Sequence, residues 1–390
     1  MAGVQTAVSL REQGWRGEIT LLGDEPHPPY DRPPLSKEVL LGTVGGEPLD
    51  VRFDVDFDAL DVDLRLGVRA QALRTDAREL VTDVGALRYD RLVLATGAYP
   101  VALPGTAGLT GVHLLRTLDD AAALRPVLDA RRDVVVVGAG WIGAEFATAA
   151  RKAGCAVTVV EAADRPLAAA LPAEITAHMR SWYAEAGVEL RTGTPVAAVE
   201  AGAVLLADGS RLPAAAVVVG IGARPATGWL GGSGVELGPD GAVLADQGLH
   251  ATAPGVFAVG DCASFPSARY GERLLVHHWD NAVQGPRTAA ANMLGGDERY
   301  DPVPYFWSEQ FGRFVQYAGH HTTADTMLLR GDPATAAWTV CWLRDGVLVA
   351  VLVVDRPRDL AQGRKLITRS AVVDPEMAAD PAVQLKFAVR

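Results

Sequence analysis

Residues 133–161 read DVVVVGAGWIGAEFATAARKAGCAVTVVE, and this stretch decides the fold. Val134 to Val137 form a short β-branched run, the mark of a strand buried on both faces of a parallel sheet. Gly138, Gly140 and Gly143 follow as G-x-G-x-x-G, a helix is expected to Lys152, and Val157 to Val160 form a second strand closed by Glu161. The three glycines do different things. Gly138 permits the tight turn, Gly140 lets the backbone approach a pyrophosphate, and Gly143 lets helix and strand pack closely. The helix N-terminus then offers free N–H groups to the phosphates. Glu161 stands about 20 residues beyond the glycines, where a carboxylate meets a ribose 2′-hydroxyl and repels a 2′-phosphate. The motif therefore predicts a dinucleotide unit that favours NADH over NADPH. Arg165 reads as a solvated surface arginine, and Glu145 as an acid in the first turn of the helix, favoured by the macrodipole.

Working outward, the same device recurs in pieces. Residues 1–25, MAGVQTAVSLREQGWRGEITLLGDE, read as a helix from Ala2 to Gln13 and a strand from Ile19 to Leu22 ending in Asp24 and Glu25. That is the second half of a dinucleotide unit. Its first strand and first glycines belong upstream of Met1, so the chain is expected to be an incomplete version of its natural protein that, as written, expresses poorly or purifies colourless. YDRLVLATGAYP (Tyr89–Pro100) and AAAVVVGIGARP (Ala214–Pro225) share an apolar strand, a glycine and a proline three residues later. A further unit, HATAPGVFAVGDCAS, carries a strand from Val256 to Val259 and then Gly260 and Asp261, a carboxylate at the ligand-facing end of a parallel strand. These repeats predict a doubled α/β architecture, with the second dinucleotide unit inserted into the first.

Composition bounds the alternatives. The chain has 390 residues, 49% hydrophobic and 21% charged, with net charge −11. That balance argues against nucleic acid as the main partner. No apolar run approaches the ~18 residues that span a bilayer, and no leader-like basic-then-apolar segment opens the chain. Cys155, Cys262 and Cys341 are widely spaced, without a C-x-x-C or zinc pattern, so no metal site is expected and a cytoplasmic setting fits. His277 and His278 read as satisfied helix histidines. Between Phe306 and Arg390 the chain carries ten Lys/Arg against nine Asp/Glu, while the remainder carries 26 against 38. In that C-terminal part, AAWTVCWLRDGVLVAVLVVD alternates through two strands about an Asp345–Gly346 turn, a hairpin signal. RPRDLAQGRKLITR then reads as a basic helix.

Together these residues resemble the FAD-dependent pyridine nucleotide oxidoreductases, and within them the ferredoxin reductase branch that includes putidaredoxin reductase, rubredoxin reductase and the reductases of biphenyl-type dioxygenases. The discriminating stretch is GDEPHPPYDRPPLSK (Gly23–Lys37), supported by LRTLDDA (Leu115–Ala121), FAVGDCA, HHWDNAVQG and YFWSEQFG. The resemblance spans essentially the whole chain. It implies two Rossmann-like dinucleotide-binding domains plus a small α+β C-terminal domain: an FAD-binding domain of residues 1–105 and 226–305, an NAD-binding domain of 106–225, and the third domain of 306–390.

The resemblance also implies site residues. Asp24 holds the adenosine ribose of FAD, and the backbone near Ala70 borders its adenine. Arg32 and Lys37 lie along the pyrophosphate and flavin edge. Arg116 and Asp261 meet the flavin nucleotide, and Trp279 packs against the isoalloxazine. Ala2 and Gly3 end the first glycine motif. Ala95, Thr96, Gly97 and Gly222 lie in the two strand–glycine turns of the repeat. Glu145 lies near the nicotinamide, facing Lys37. The implied reaction carries a hydride from NADH to FAD and then single electrons to an iron–sulfur ferredoxin or rubredoxin that feeds an oxygenase. The protein would be a monomer or homodimer without nucleic-acid or membrane partners. Rival readings are an NADH oxidase, a nitrite-reductase-type flavoprotein, and a non-enzymatic NAD-binding or interaction module. Ser36, where NADH oxidases carry a reactive cysteine, weighs against the first.

Overall fold

The structure is a computed structural model that describes residues 1–44, 47–48 and 50–390. Its best-defined layer is a five-stranded parallel sheet in the order Val112–His113, Ala216–Val219, Val134–Val137, Val157–Val160, Glu189–Arg191. Val134–Val137 is central, and all four of its valines are buried. A strand covered on both faces has no polar side to show, which is why this run lacks alternation. The helix Trp141–Ala153 follows and ends on Gly154 in the left-handed conformation.

Around this unit lie shorter parallel ladders. Thr20–Gly23 pairs with Asp63–Leu66, and Leu92–Leu94 pairs with Val256–Ala258. Among the described residues, Thr20–Gly23 has Asp63–Leu66 as its one ladder neighbour. The helix Ala2–Glu12 begins beside both ladders, where a Cβ on Gly3 would meet Leu21 at 2.9 Å and Ala95 at 3.7 Å. The first strand is thus offset by one residue from the expected Ile19–Leu22. The strand expected to run to Val259 ends at Ala258, because the chain turns there into the short helical turn Gly260–Cys262.

The two repeat segments that end in proline meet each other. Ala98–Pro100 and Ala223–Pro225 form an antiparallel pair, with Arg224 opposite Tyr99. These are the two crossings between the parallel-sheet units, so the inserted unit is attached by a two-stranded tie.

The C-terminal part is a five-stranded antiparallel sheet ordered Tyr305–Gln310, Arg313–Gly319, Val347–Val354, Trp338–Arg344, Thr326–Arg330. Asp345 and Gly346 both have positive φ, 51° and 77°, as a two-residue type I′ hairpin turn requires. The helix Pro357–Thr368 covers this sheet, burying Leu360, Leu366 and Ile367. Arg330, almost fully buried, ties the end of the chain to it. Its Nε donates to Asp359 Oδ2 at 2.9 Å, and its Nη atoms donate to the carbonyls of Ala378, Asp380 and Val383.

Candidate functional site

Two glycines make the loop after Val137 obligatory. A Cβ on Gly143 would lie 2.1 Å from the Gly138 carbonyl oxygen, and one on Gly138 would lie 2.4 Å from that of Gly220. Gly140 differs: its nearest neighbour would be 3.9 Å away. The chain itself leaves that side open, which fits a loop whose backbone is approached by a pyrophosphate. Glu161 closes the loop from below. Its Oε2 accepts the Ala139 amide at 2.8 Å and its Oε1 accepts the Ala163 amide at 2.9 Å. Gly222, with φ 119°, ends the neighbouring strand-and-turn segment.

Three predicted residues far apart in sequence converge at the other unit. Arg116 Nη2 pairs with Asp261 Oδ2 at 3.0 Å, and Arg32 Nη1 donates to the Arg116 carbonyl at 2.6 Å. Gly97, with φ 68°, brings its backbone beside the Arg116 guanidinium, next to Thr96 and Ala95. The uncapped N-terminus of the helix Ala2–Glu12 enters the same cluster. Guanidinium groups and a helix N-terminus supply donors suited to a dinucleotide pyrophosphate, and the strand-end carboxylate supplies an acceptor for its adjoining hydroxyls.

Glu25 is a member that sequence reasoning missed. Its carboxylate takes Arg32 Nη2 at 2.5 Å and the Tyr30 hydroxyl at 2.5 Å. That hydroxyl also accepts the Leu118 amide at 2.9 Å. Burial, and then the bond to Glu25, raises the Tyr30 phenol above its ordinary range. Asp24 by contrast is exposed, with Arg69 Nη2 at 3.6 Å, beside Ala70. Nothing in the adjacent letters D-E distinguishes the two roles; both residues lie in the bend that follows the strand.

At the junction of the units, Lys37 and Glu145 meet. Lys37 Nζ lies 2.8 Å from Glu145 Oε2 and 3.0 Å from the Pro33 carbonyl. Glu145 is only 4% exposed. Ser36 Oγ donates to the same oxygen at 2.5 Å, and Ser308 Oγ donates to Oε1 at 2.7 Å. The first-turn reading of Glu145 is corrected here: it is the fifth residue of its helix, too far in for the macrodipole to hold it. Side-chain donors hold it instead. Neither serine role was legible, since Ser308 lies 163 residues away in sequence.

Trp279 opens its helix half-buried, not as core. Its Nε1 donates to Asp31 Oδ1 at 2.7 Å, and its ring meets that of Trp307 edge-on at 5.8 Å. Trp307 stacks on Tyr305, over which Arg364 lies at 4.7 Å. Two further expectations are corrected. His277 and His278 precede the helix rather than sit in it, and His278 Nδ1 is buried without a partner while its ring packs on Phe306. Arg165 is not a solvated side chain: it pairs with Asp164, and its Nε is buried without a partner. Among the described residues, Cys155, Cys262 and Cys341 are free and buried, and no group of three or more His, Cys, Asp or Glu side chains could hold a metal ion. None of the described helices is long and apolar enough to cross a membrane.

Residues 1–285 match the family model described as pyridine nucleotide-disulphide oxidoreductase, and residues 305–389 match the reductase C-terminal model. The chain is similar to rhodocoxin reductase of Rhodococcus erythropolis, 38% identical, covering 100% of this chain and 92% of that protein. It is similar to the ferredoxin–NAD(+) reductase component of the anthranilate 1,2-dioxygenase system of Burkholderia cepacia, 37% identical over 99% of this chain and 96% of that one. Among solved structures it superposes on the covalent putidaredoxin reductase–putidaredoxin complex with a TM-score of 0.93 at 35% identity, covering 99% of this chain and 95% of that one. The chain belongs to the pyridine nucleotide-disulphide oxidoreductase family, in its form with a C-terminal reductase unit.

Proposed function

We propose that this protein is an NADH-dependent FAD reductase that passes electrons to an iron–sulfur carrier of the ferredoxin type, serving an oxygenase. The observation that carries this reading is the Lys37–Glu145 contact of 2.8 Å. It joins the proline-rich loop of one dinucleotide unit to the glycine-loop helix of the other, so that two bound dinucleotides would meet there. Bound FAD supplies the chemistry, accepting a hydride from NADH and releasing its two electrons one at a time.

The chain's own residues bind and orient. The backbone of Gly138 to Gly143 receives the pyrophosphate of NADH, and Glu161 receives the ribose. Arg32, Arg116 and Asp261, with the backbone from Ala95 to Gly97, hold the flavin nucleotide, while Asp24 and the backbone at Ala70 border its adenosine end. Lys37 holds a positive charge at the flavin edge, and Trp279 closes one side. Residues 1–105 with 226–305 form the FAD domain in this reading, 106–225 the NAD domain, and 306–390 the third. Three buried cysteines, none of them in a disulfide, support a reducing, cytoplasmic setting.

The acceptor is inferred to approach where the C-terminal unit meets the flavin domain. There the rings of Tyr305, Trp307 and Trp279 run from Arg364 toward Asp31. An acidic ferredoxin would be steered to this near-neutral end of an otherwise acidic protein. The NADH oxidase reading loses ground because Ser36 points into Glu145 and offers no thiol. The direct test is spectroscopic: protein supplied with FAD should show flavin absorbance that NADH bleaches without oxygen. Bound flavin that NADH leaves oxidised would contradict the reading.

A further inference from the structure

The helix of the glycine loop is latched along its length to the C-terminal sheet. Trp141 meets Phe306 at 4.8 Å between ring centroids, Glu145 accepts from Ser308 at 2.7 Å, and the Thr148 hydroxyl accepts the Phe311 amide at 2.9 Å. Positions 141, 145 and 148 share one helix face. From the first contact to the second, two residues of strand advance about 6.6 Å and four of helix about 6 Å, so those two stay in step; the third is made by Phe311, just past the end of the strand Tyr305–Gln310.

Ser308 is more than a contact point. It is 1% exposed, as is Gln310, whose Nε2 donates to the Ser308 oxygen at 3.1 Å. With that oxygen accepting from Gln310, the hydroxyl proton is committed to Glu145 Oε1. The carboxylate's other oxygen is left to Ser36 and Lys37. The direction of the relay, Gln310 to Ser308 to Glu145, fixes the carboxylate plane and through it the place of the Lys37 ammonium.

We propose that Ser308 is a positioning residue for the hydride step: the C-terminal unit, through Ser308 and Gln310, sets the Glu145–Lys37 pair at the junction of the two dinucleotide sites. This rests on the functional reading above. The strand that carries Ser308 toward Glu145 presents Trp307 to Trp279 on its opposite face. Both the nicotinamide side and the acceptor side are therefore registered on one strand.

The test is a mutant cycle on the FAD-loaded protein. Ser308→Ala should slow flavin reduction at saturating NADH about tenfold, the worth of one hydrogen bond to a charged group. The NADH concentration at half-saturation should change less than about twofold. Ser308→Thr, which keeps the hydroxyl, should restore the rate, and Gln310→Met should give an intermediate one. In a Glu145→Gln background, Ser308→Ala should have no further effect. Thermal melts of the same four combinations without FAD should be less than additive, since the two side chains are in contact. Equal slowing in both backgrounds, or additive melts, would overturn the proposal. An unmutated, FAD-loaded protein that NADH does not reduce would instead overturn the proposed function, and this inference with it.

Discussion

Glu161 Oε2 accepts the amide of Ala139, the residue between the first two glycines of the loop, at 2.8 Å. The acid expected to read the ribose therefore also braces the loop that receives the phosphates. A carboxylate has about four lone-pair directions, so both roles fit one side chain. Glu161→Ala should narrow the preference for NADH over NADPH by removing the charge that repels a 2′-phosphate. It should also weaken binding of both cofactors, because the loop loses its brace. Comparing kcat/KM for NADH and NADPH in parent and variant checks this; an unchanged ratio would contradict it.

Lys37 and Glu145 are buried together, at 12% and 4% side-chain exposure. Removing one partner of such a pair leaves an uncompensated charge and typically costs ~3–5 kcal/mol. Lys37→Met should fall at the lower end, since Ser36 and Ser308 still donate to the carboxylate. The double change Lys37→Met with Glu145→Leu should recover much of the loss. Urea melts of the three variants measure the pattern. A double variant as unstable as the sum of its parts would contradict it.

Burial pulls His278 down to about 4 from its ordinary 6.5, against the opposing pull of Asp261, with His277 and His320 adding to the lowering. Between those values the unfolded chain binds the proton and the folded one does not. Stability from this group is therefore present above pH 6.5 and lost as pH falls toward 4, by up to about 3 kcal/mol. His278→Phe, which keeps a ring against Phe306, should flatten the melting-temperature profile between pH 7 and 5. A variant with the parent's slope would assign the acid sensitivity elsewhere.

The basic cluster in and beside the helix Pro357–Thr368 is smaller than its letters. Arg356 is bound to Asp359 at 2.9 Å and Arg364 lies over Tyr305, leaving Arg358, Lys365 and Arg369 exposed. Neutralising those three should raise the KM for an acidic ferredoxin and reduce its salt dependence, while NADH-to-dye reduction stays unchanged. An unaltered ferredoxin KM would make this face a plain solvated surface.

What the sequence made legible were features fixed by local rules. The Val134–Val137 strand, the glycine loop and the Asp345–Gly346 turn each depend on residues within a few positions, where backbone sterics leave little choice. The convergence of Arg32, Arg116 and Asp261 was reachable through resemblance alone, because 84 and 145 residues separate the partners. Glu25, Ser36 and Ser308 stayed hidden for the same physical reason: hydroxyls and acids join a network by where the chain returns, and no spacing records that. His278 misled because H-H-W-D reads as helix, whereas its backbone is extended and the helix starts at Trp279.

The central claim is electron transfer from NADH through flavin to an iron–sulfur protein, and one anaerobic titration tests it most directly. Protein supplied with FAD is reduced with one equivalent of NADH, then mixed with an oxidised [2Fe–2S] ferredoxin while flavin absorbance is followed. The account predicts bleaching by NADH and recovery of the flavin band as about two equivalents of ferredoxin are reduced, one electron each. A flavin that NADH leaves oxidised, or one that stays bleached in the presence of ferredoxin, would contradict it.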